Sequence, residues 1–162
     1  SSIGVTKLAE PTVAALRKAL EDAAGVRGDE VLVEEYIHGR EFTVAVLDGR
    51  ALPVIEIRAP EGDYDFNNKY FGDAVHYDCP AKLEDEAAAT LGSLCERAFA
   101  AVGARGWSRI DALQRADGSF ALLEINTSPG MTPHSLVPMA ARAVGMDYAD
   151  LCLKVLSLAR CD

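Results

Sequence analysis

Two Asp-Gly dipeptides constrain this chain more than any other feature. Asp48-Gly49 stands between Glu41–Leu47 and Ala51–Ile57, and Asp117-Gly118 between Trp107–Arg115 and Ser119–Asn126. The flanks are rich in β-branched, aromatic and aliphatic residues. Asp-Gly between such runs signals a two-residue hairpin turn, because a turn whose twist matches the strands needs positive φ at both positions. Helical periodicity surrounds the two hairpins. Pro11–Ala24 carries Val13, Leu16, Leu20 and Ala23 on one stripe, with Gly25 as its stop. Leu83–Val102 carries Ala87, Leu91, Leu94, Ala98 and Val102 on one face, with Gly103 after it, and Leu136–Val144 and Tyr148–Ala159 close the chain. Glu30–Ile37 reads as a further β-rich segment. The mixture predicts an α+β fold, an antiparallel sheet with helices packed on it. Arg58–Pro80, rich in Gly, Asp, Asn and Tyr, follows neither period, and a loop of that length inside a compact domain is usually a functional lid or a disordered segment.

The second hairpin predicts a site. If Asp117-Gly118 is a two-residue turn, Ala116 pairs with Ser119, Asp111 falls opposite Glu124, and Arg109 falls opposite Asn126. Alternation then puts Arg109, Asp111, Glu124 and Asn126 on one face, and Ile110, Ala112, Leu123 and Ile125 on the other. Two carboxylates directly opposite each other are destabilising unless a cation bridges them. Hard oxygen donors of this kind suit Mg²⁺ or Mn²⁺, and two such ions about 3.5–4 Å apart form the usual clamp for phosphoryl chemistry. A solvated sheet face with an Arg–Asp pair is the competing reading of the same four residues.

Directly after Asn126 comes Thr127-Ser128-Pro129-Gly130-Met131-Thr132. Ser135 can N-cap the helix that begins at Leu136, and Pro138 is tolerable in its first turn. A helix start beside a glycine-containing loop is a ready anion site, although a plain Ser cap is the commoner arrangement. His134 is either catalytic or a hydrogen-bonded spacer in this loop.

A net charge of -9 over 162 residues argues against a nucleic-acid partner, which needs a basic surface. It leaves nucleotide phosphates open, since local cations, a metal and backbone N–H groups hold those. Cys79, Cys95, Cys152 and Cys161 have neither metal-site nor disulfide spacing, so a reducing, cytoplasmic compartment is expected, with Cys95 and Cys152 as core residues. No apolar run approaches the roughly 18 residues that span a membrane. The opening Ser1-Ser2-Ile3-Gly4 is neither an initiator nor a signal peptide, and the chain is expected to begin inside a domain.

Several segments together carry a family resemblance. Val31-Leu32-Val33-Glu34-Glu35-Tyr36-Ile37 with Gly39-Arg40-Glu41-Phe42-Thr43-Val44 resembles the adenine hinge of D-alanine–D-alanine ligases of the ATP-grasp superfamily. Arg105–Asp111 and Leu123–Thr132 resemble the metal strands of that family, and His134-Ser135-Leu136-Val137-Pro138 its second-substrate loop. The similarity runs from Ser1 to the last helix. The resemblance implies an ATP-grasp C-terminal domain over residues 34–162, preceded by the tail of the central ATP-grasp domain over residues 1–33. It also implies ATP-dependent ligation of two D-alanines through an acyl phosphate, for peptidoglycan precursors.

Roles follow from the resemblance residue by residue. Glu34, Glu35, Tyr36 and Ile37 would meet adenine, and Glu41 the ribose. Asp111, Glu124 and Asn126 would ligate two Mg²⁺ or Mn²⁺. Arg109 and the Gly130 N–H would form an oxyanion hole. Ser135 and the Leu136 N–H would hold the second D-alanine carboxylate. Lys69 would reach phosphate from a closing loop around Asp65–Phe71, and Tyr70 would bond towards Ser1. The resemblance further implies a homodimer of the full-length enzyme and an inactive isolated chain, because the N-terminal domain and its phosphate-binding lysines are not in this sequence. Tyr36 stands where the family often has Trp, and Pro133 where Ser is usual. Another ATP-grasp ligase, such as one making a depsipeptide, and a non-catalytic nucleotide-binding module are the alternatives. Tyr70 weighs against the first, and the intact Arg109, Asp111, Glu124 and Asn126 against the second.

Overall fold

The computed structural model describes residues 6–8, 12–27, 30–58 and 75–160. The chain divides into two units, Ser1–Ile37 with Glu61–Ala74, and His38–Pro60 with Val75–Asp162.

In the first unit, helix α1 spans Val13–Arg27. Thr12 opens it: its Oγ1 accepts from the Ala15 N–H at 3.1 Å, satisfying one first-turn donor. The helix does not stop before Gly25 as its composition suggests but continues to Arg27. Its expected apolar stripe is exposed at Val13 (80%). Residues 30–38 form no strand; among the described residues the β-rich composition of this segment is not matched by a ladder partner.

The second unit is built on an antiparallel sheet. Its strands are β1 (Glu41–Leu47), β2 (Arg50–Ala51), β3 (Ile55–Arg58), β4 (His76–Asp78), β5 (Trp107–Gln114) and β6 (Phe120–Asn126). The order is β4-β3-β1-β5-β6, with β2 paired to the end of β1. The first hairpin forms as expected: Asp48 (φ 54°) and Gly49 (φ 76°) are both left-handed, and Leu47 pairs with Arg50. Its return strand is interrupted, however, so Ala51–Ile57 becomes two short strands, β2 and β3. His76–Asp78, inside the aperiodic stretch Arg58–Pro80, forms β4.

Helices cover both faces. Helix α2 (Asp85–Ala101) packs on Phe42, Val44, Val46, Ile110 and Ala112. Helices α3 (Leu136–Ala143) and α4 (Tyr148–Leu158) cover Ala45, Leu47 and Ile55 on the opposite face. The central strand β1 is therefore buried on both sides from Phe42 to Leu47, which is why it reads as a continuous apolar run. The buried stripe of α2 is Leu91, Cys95 and Phe99, rotated from the expected one, and Val102 is 61% exposed. Cys95 is a core residue as expected, whereas Cys152 is only half-buried. Burial pushes the Cys95 thiol up to about 12, with Asp111 and Glu96 adding to the shift, so it stays protonated and inert.

The second hairpin reaches the expected pairing by a different route. Ser119 lies opposite Arg115, not Ala116: the Arg115 N–H donates to the Ser119 carbonyl at 2.8 Å, leaving a three-residue loop, Ala116-Asp117-Gly118. That loop displaces the ladder by one, giving Gln114↔Phe120 and Ala112↔Leu122. A bulge then takes up one extra residue on β6, and beyond it Asp111 pairs with Glu124 and Arg109 with Asn126. Leu123 is the surplus residue. It is 49% exposed rather than in the core, and Leu122 packs inward in its place.

Candidate active site

Thr43, Arg109, Asp111, Glu124 and Asn126 converge because β1, β5 and β6 are neighbours and these positions share the α3-side face. Thr43 pairs with Asp111 across β1 and β5, and Asp111 with Glu124 across β5 and β6. The Arg109 guanidinium grips Asp111 in two-point fashion, Nε to Oδ1 at 3.0 Å and Nη2 to Oδ2 at 2.7 Å. The same Nη2 lies 3.9 Å from Glu124 Oε1. From the other side, Thr43 Oγ1 donates to Asp111 Oδ1 at 2.6 Å. Asp111 is thus buried and fixed by three donors, while the Glu124 side chain is 61% exposed and turned to solvent. Two carboxylates thus stand beside one guanidinium, and Asn126, paired with Arg109, is the next position on the same face of β6. That donor set, all hard oxygen, fits a divalent cation such as Mg²⁺. Among the described residues no group of three His, Cys, Asp or Glu side chains could hold a metal. Two carboxylates and an amide are a different set.

The loop from Thr127 to Ser135 leaves β6 at this point. Gly130 packs closely on Ser135: a Cβ there would lie 3.1 Å from Ser135 Oγ, so a larger residue would press on that hydroxyl. Ser135 occupies the N-cap position of α3, but its side chain makes no cap bond, contrary to the expectation of a plain cap. It turns back into the loop, where Oγ accepts from the Thr132 N–H at 3.0 Å and lies 2.9 Å from Thr132 Oγ1. Two further contacts fix the loop's outer side: Arg142 Nη1 donates to the Pro133 carbonyl at 2.7 Å, and the Tyr148 hydroxyl to that of Met131. His134 is exposed.

Glu34, Glu35 and Tyr36 are exposed and Ile37 is half-buried in the first unit, where Lys7 Nζ sits 5.5 Å from the Tyr36 ring centroid. Glu41 opens β1, opposite Leu113 and Ile57. Ser1, Lys69 and Tyr70, with the expected closing loop around Asp65–Phe71, lie outside the described residues. A cleft of about 510 Å³ is lined by Asp48, Trp107, Leu158 and Arg160 among others, and none of the candidates lines it. Thr43, Thr132, Arg142 and Tyr148 were not singled out from sequence. Only Thr43 carried a signal, as a hydroxyl within an otherwise apolar buried strand.

Residues 1–157 match the family model described as the D-ala D-ala ligase C-terminus. D-alanine–D-alanine ligases of Bordetella petrii and Bordetella pertussis are 52% and 53% identical to the chain over 99% of its length. The chain spans about half the length of the curated relatives it matches, 50% and 51% for these two. Among solved structures, the D-alanine–D-alanine ligase of Bacillus anthracis complexed with ATP aligns with a TM-score of 0.75 at 30% identity, covering 91% of this chain and 48% of that one. The VanG D-Ala:D-Ser ligase of Enterococcus faecalis aligns with a TM-score of 0.80 at 31% identity, covering 98% of this chain and 46% of that one. Sequence and fold agree, and the chain belongs to the D-alanine–D-alanine ligase C-terminal family, with the α+β, antiparallel architecture of an ATP-grasp fold.

Proposed function

We propose that this chain is the nucleotide-, metal- and second-substrate-binding part of an enzyme that joins two D-alanines at the expense of ATP. The observation that carries this reading is the cross-strand set Arg109, Asp111, Glu124 and Asn126, followed at once by the Gly130–Ser135 loop. Residues 1–33 are the tail of the central ATP-grasp domain and residues 34–162 the C-terminal domain.

In the reaction, the carboxylate of a first D-alanine attacks the γ-phosphate of ATP, releasing ADP and leaving an acyl phosphate. The amine of a second D-alanine then attacks the acyl carbon, and phosphate departs from a tetrahedral intermediate. Asp111, Glu124 and Asn126 would hold two Mg²⁺ or Mn²⁺, which would offset the triphosphate charge. Thr43 and Arg109 fix the orientation of the Asp111 carboxylate for that task. Arg109 and the Gly130 N–H stabilise the oxyanion of the tetrahedral intermediate, and Ser135 with the Leu136 N–H holds the second carboxylate. Glu34, Glu35, Tyr36 and Ile37 meet adenine, and Glu41 the ribose. Lys69 meets phosphate, and Tyr70 with Ser1 forms a polar network beside the incoming amine. The product serves peptidoglycan precursor synthesis in the cytoplasm, and the full-length enzyme is a homodimer. Among the described residues no helix is long and apolar enough to cross a membrane.

The test uses the full-length protein with ATP, Mg²⁺ and D-alanine, reading ADP and D-alanyl-D-alanine by mass spectrometry. Dipeptide formation is expected, and Asp111→Asn should lower kcat/KM by more than about a hundredfold, as expected when a ligand of the catalytic metal is lost. ADP release without dipeptide, or an Asp111→Asn variant as active as wild type, would overturn the assignment. Offering D-lactate and D-serine beside D-alanine tests the second substrate. Tyr70→Phe deletes the hydroxyl but keeps the ring, and should raise the ratio of D-lactate to D-alanine product. An unchanged ratio removes Tyr70 from the specificity of the enzyme.

A further inference from the structure

Ser135 has an unusual constraint for a residue at a helix start. An N-cap side chain ordinarily accepts from the N–H two or three positions on. Three positions on is Pro138, which has no N–H, so half of the usual capping options are missing. The Ser135 side chain makes no cap bond and is held by Thr132 instead, through the backbone N–H at 3.0 Å and the hydroxyl at 2.9 Å. The backbone link is returned by the Ser135 N–H, which donates to the Thr132 carbonyl at 2.9 Å.

Proton bookkeeping then gives this arrangement a use. The hydroxyls of Thr132 and Ser135 carry one proton each, and a single bond between them consumes one. The other must point out of the pair. When Thr132 donates, Ser135 Oγ accepts from both Thr132 groups, and its own proton is the one directed outward. Because the hydroxyl does not cap α3, first-turn N–H groups of that helix also stay available to an acceptor. A carboxylate placed there meets an outward hydroxyl proton and uncapped N–H groups together, with the favourable end of the helix dipole behind them.

We propose that Thr132 is a positioning residue for the second amino-acid substrate: it holds the Ser135 hydroxyl off the helix cap so that its proton faces the substrate carboxylate. The inference rests on the ligase reading of this loop. It adds Thr132 as the residue that orients the donor. It predicts that Thr132→Val, which keeps the shape and the backbone N–H but removes the hydroxyl, raises the KM for the second D-alanine about tenfold and leaves kcat within about twofold. Thr132→Ser restores the KM. A residue that merely stabilised the fold would lower active fraction, and so kcat, without this split.

The test is made on the full-length protein in two parts. Steady-state kinetics supply the KM–kcat split. Backbone amide spectra of ¹⁵N-labelled protein, titrated with D-alanine, follow the Leu136 and Val137 resonances without requiring turnover. Support would be a tenfold weaker D-alanine response at these amides in Thr132→Val, with Thr132→Ser like wild type. If wild type makes no dipeptide but its Leu136 amide still responds to D-alanine in a Thr132-dependent way, the ligase reading fails and the positioning role stands. If wild type is an active ligase and Thr132→Val matches it in KM and amide response, or loses only kcat, the positioning role fails. Neither turnover nor amide response in wild type overturns both. Should Thr132→Val not fold, Thr132→Ala removes the same hydroxyl with less bulk and is held to the same outcomes.

Discussion

One hydroxyl, that of Thr43, decides how firmly Asp111 is held. A carboxylate buried beside an apolar core needs its oxygens satisfied, because each unmet acceptor costs roughly 1–3 kcal/mol. Arg109 supplies two donors from along its own strand, and Thr43 supplies the third from the neighbouring one at 2.6 Å. Thr43→Val keeps the volume and β-branching and removes only that donor. It should cost about 1–2 kcal/mol in urea unfolding, and Thr43→Ser should recover most of the loss. A valine variant as stable as wild type would mean that Arg109 alone satisfies Asp111. This contact was not legible in the sequence, since it requires β1 to lie beside β5 with Thr43 opposite Asp111. The Arg109–Asp111 pair was legible, because two residues apart on a strand always share a face.

At the scale of the element, the second hairpin shows a register that depends on two compensating irregularities. The three-residue loop at Ala116–Gly118 displaces β6 by one position and the bulge at Leu123 restores it. Glu124 and Asn126 consequently stand where an unbroken ladder from a two-residue turn would also place them. Deleting one of the paired leucines, Leu122 or Leu123, removes the surplus residue and should leave Glu124 opposite Asp111. Mn²⁺ binding, followed by electron paramagnetic resonance of the full-length protein, should stay within a few-fold of wild type. Inserting an alanine between Glu124 and Ile125 should instead turn Asn126 to the core face and abolish Mn²⁺ binding, because a one-residue slip exchanges the two faces of a strand. Mn²⁺ binding that survives the insertion would exclude Asn126 as a ligand. A shorter-range closeness shapes the entry to β1: a Cβ on Gly39 would fall 1.7 Å from the Gln114 carbonyl, so only glycine lets this segment lie on the end of β5. The adjacent Gln114 N–H to Arg40 carbonyl bond, at 2.9 Å, closes that approach.

Across the whole molecule, acid stability should be governed by a buried ion network on the other side of the sheet. Glu56 is 4% exposed and accepts from Arg40 at 2.8 Å through both oxygens and from Arg58 at 3.0 Å. The Arg40 hydrogen bonds, with Arg58 and against an opposing desolvation cost, hold its carboxyl at about 2 rather than 4.5. A carboxyl depressed in the folded state stabilises the fold fully above its unfolded value. That contribution drains as pH falls through 4.5 towards 2. Wild type should therefore lose stability steeply in that window, and Glu56→Gln should flatten the slope there. At neutral pH the same variant should cost roughly 1–2 kcal/mol, a discounted figure because Arg40 and Arg58 keep about half their side chains in water. Denaturant midpoints from pH 7 to 3 measure both effects. Parallel curves for wild type and variant would show that other carboxylates control acid unfolding.

Local chemistry settled a good part of this protein in advance. Asp48-Gly49 demands its turn whatever surrounds it, alternation places Arg109 with Asp111 and Glu124 with Asn126, and the ordered motifs from Glu34 to Pro138 identify the family. Tertiary structure decided what depends on neighbours distant in the chain. Burial on both faces made β1 a central strand, and the Leu123 bulge set the pairing that brings the carboxylates together. Residues 30–38 form no strand despite their β-rich composition. The Ser135 hydroxyl, at the N-cap position, bonds Thr132 rather than capping α3, a competition between hydrogen bonds that composition cannot rank. Turn and face preferences are set by a residue's own φ, ψ and side chain, whereas pairing, burial and the choice among acceptors are set by groups that only the folded chain brings within reach.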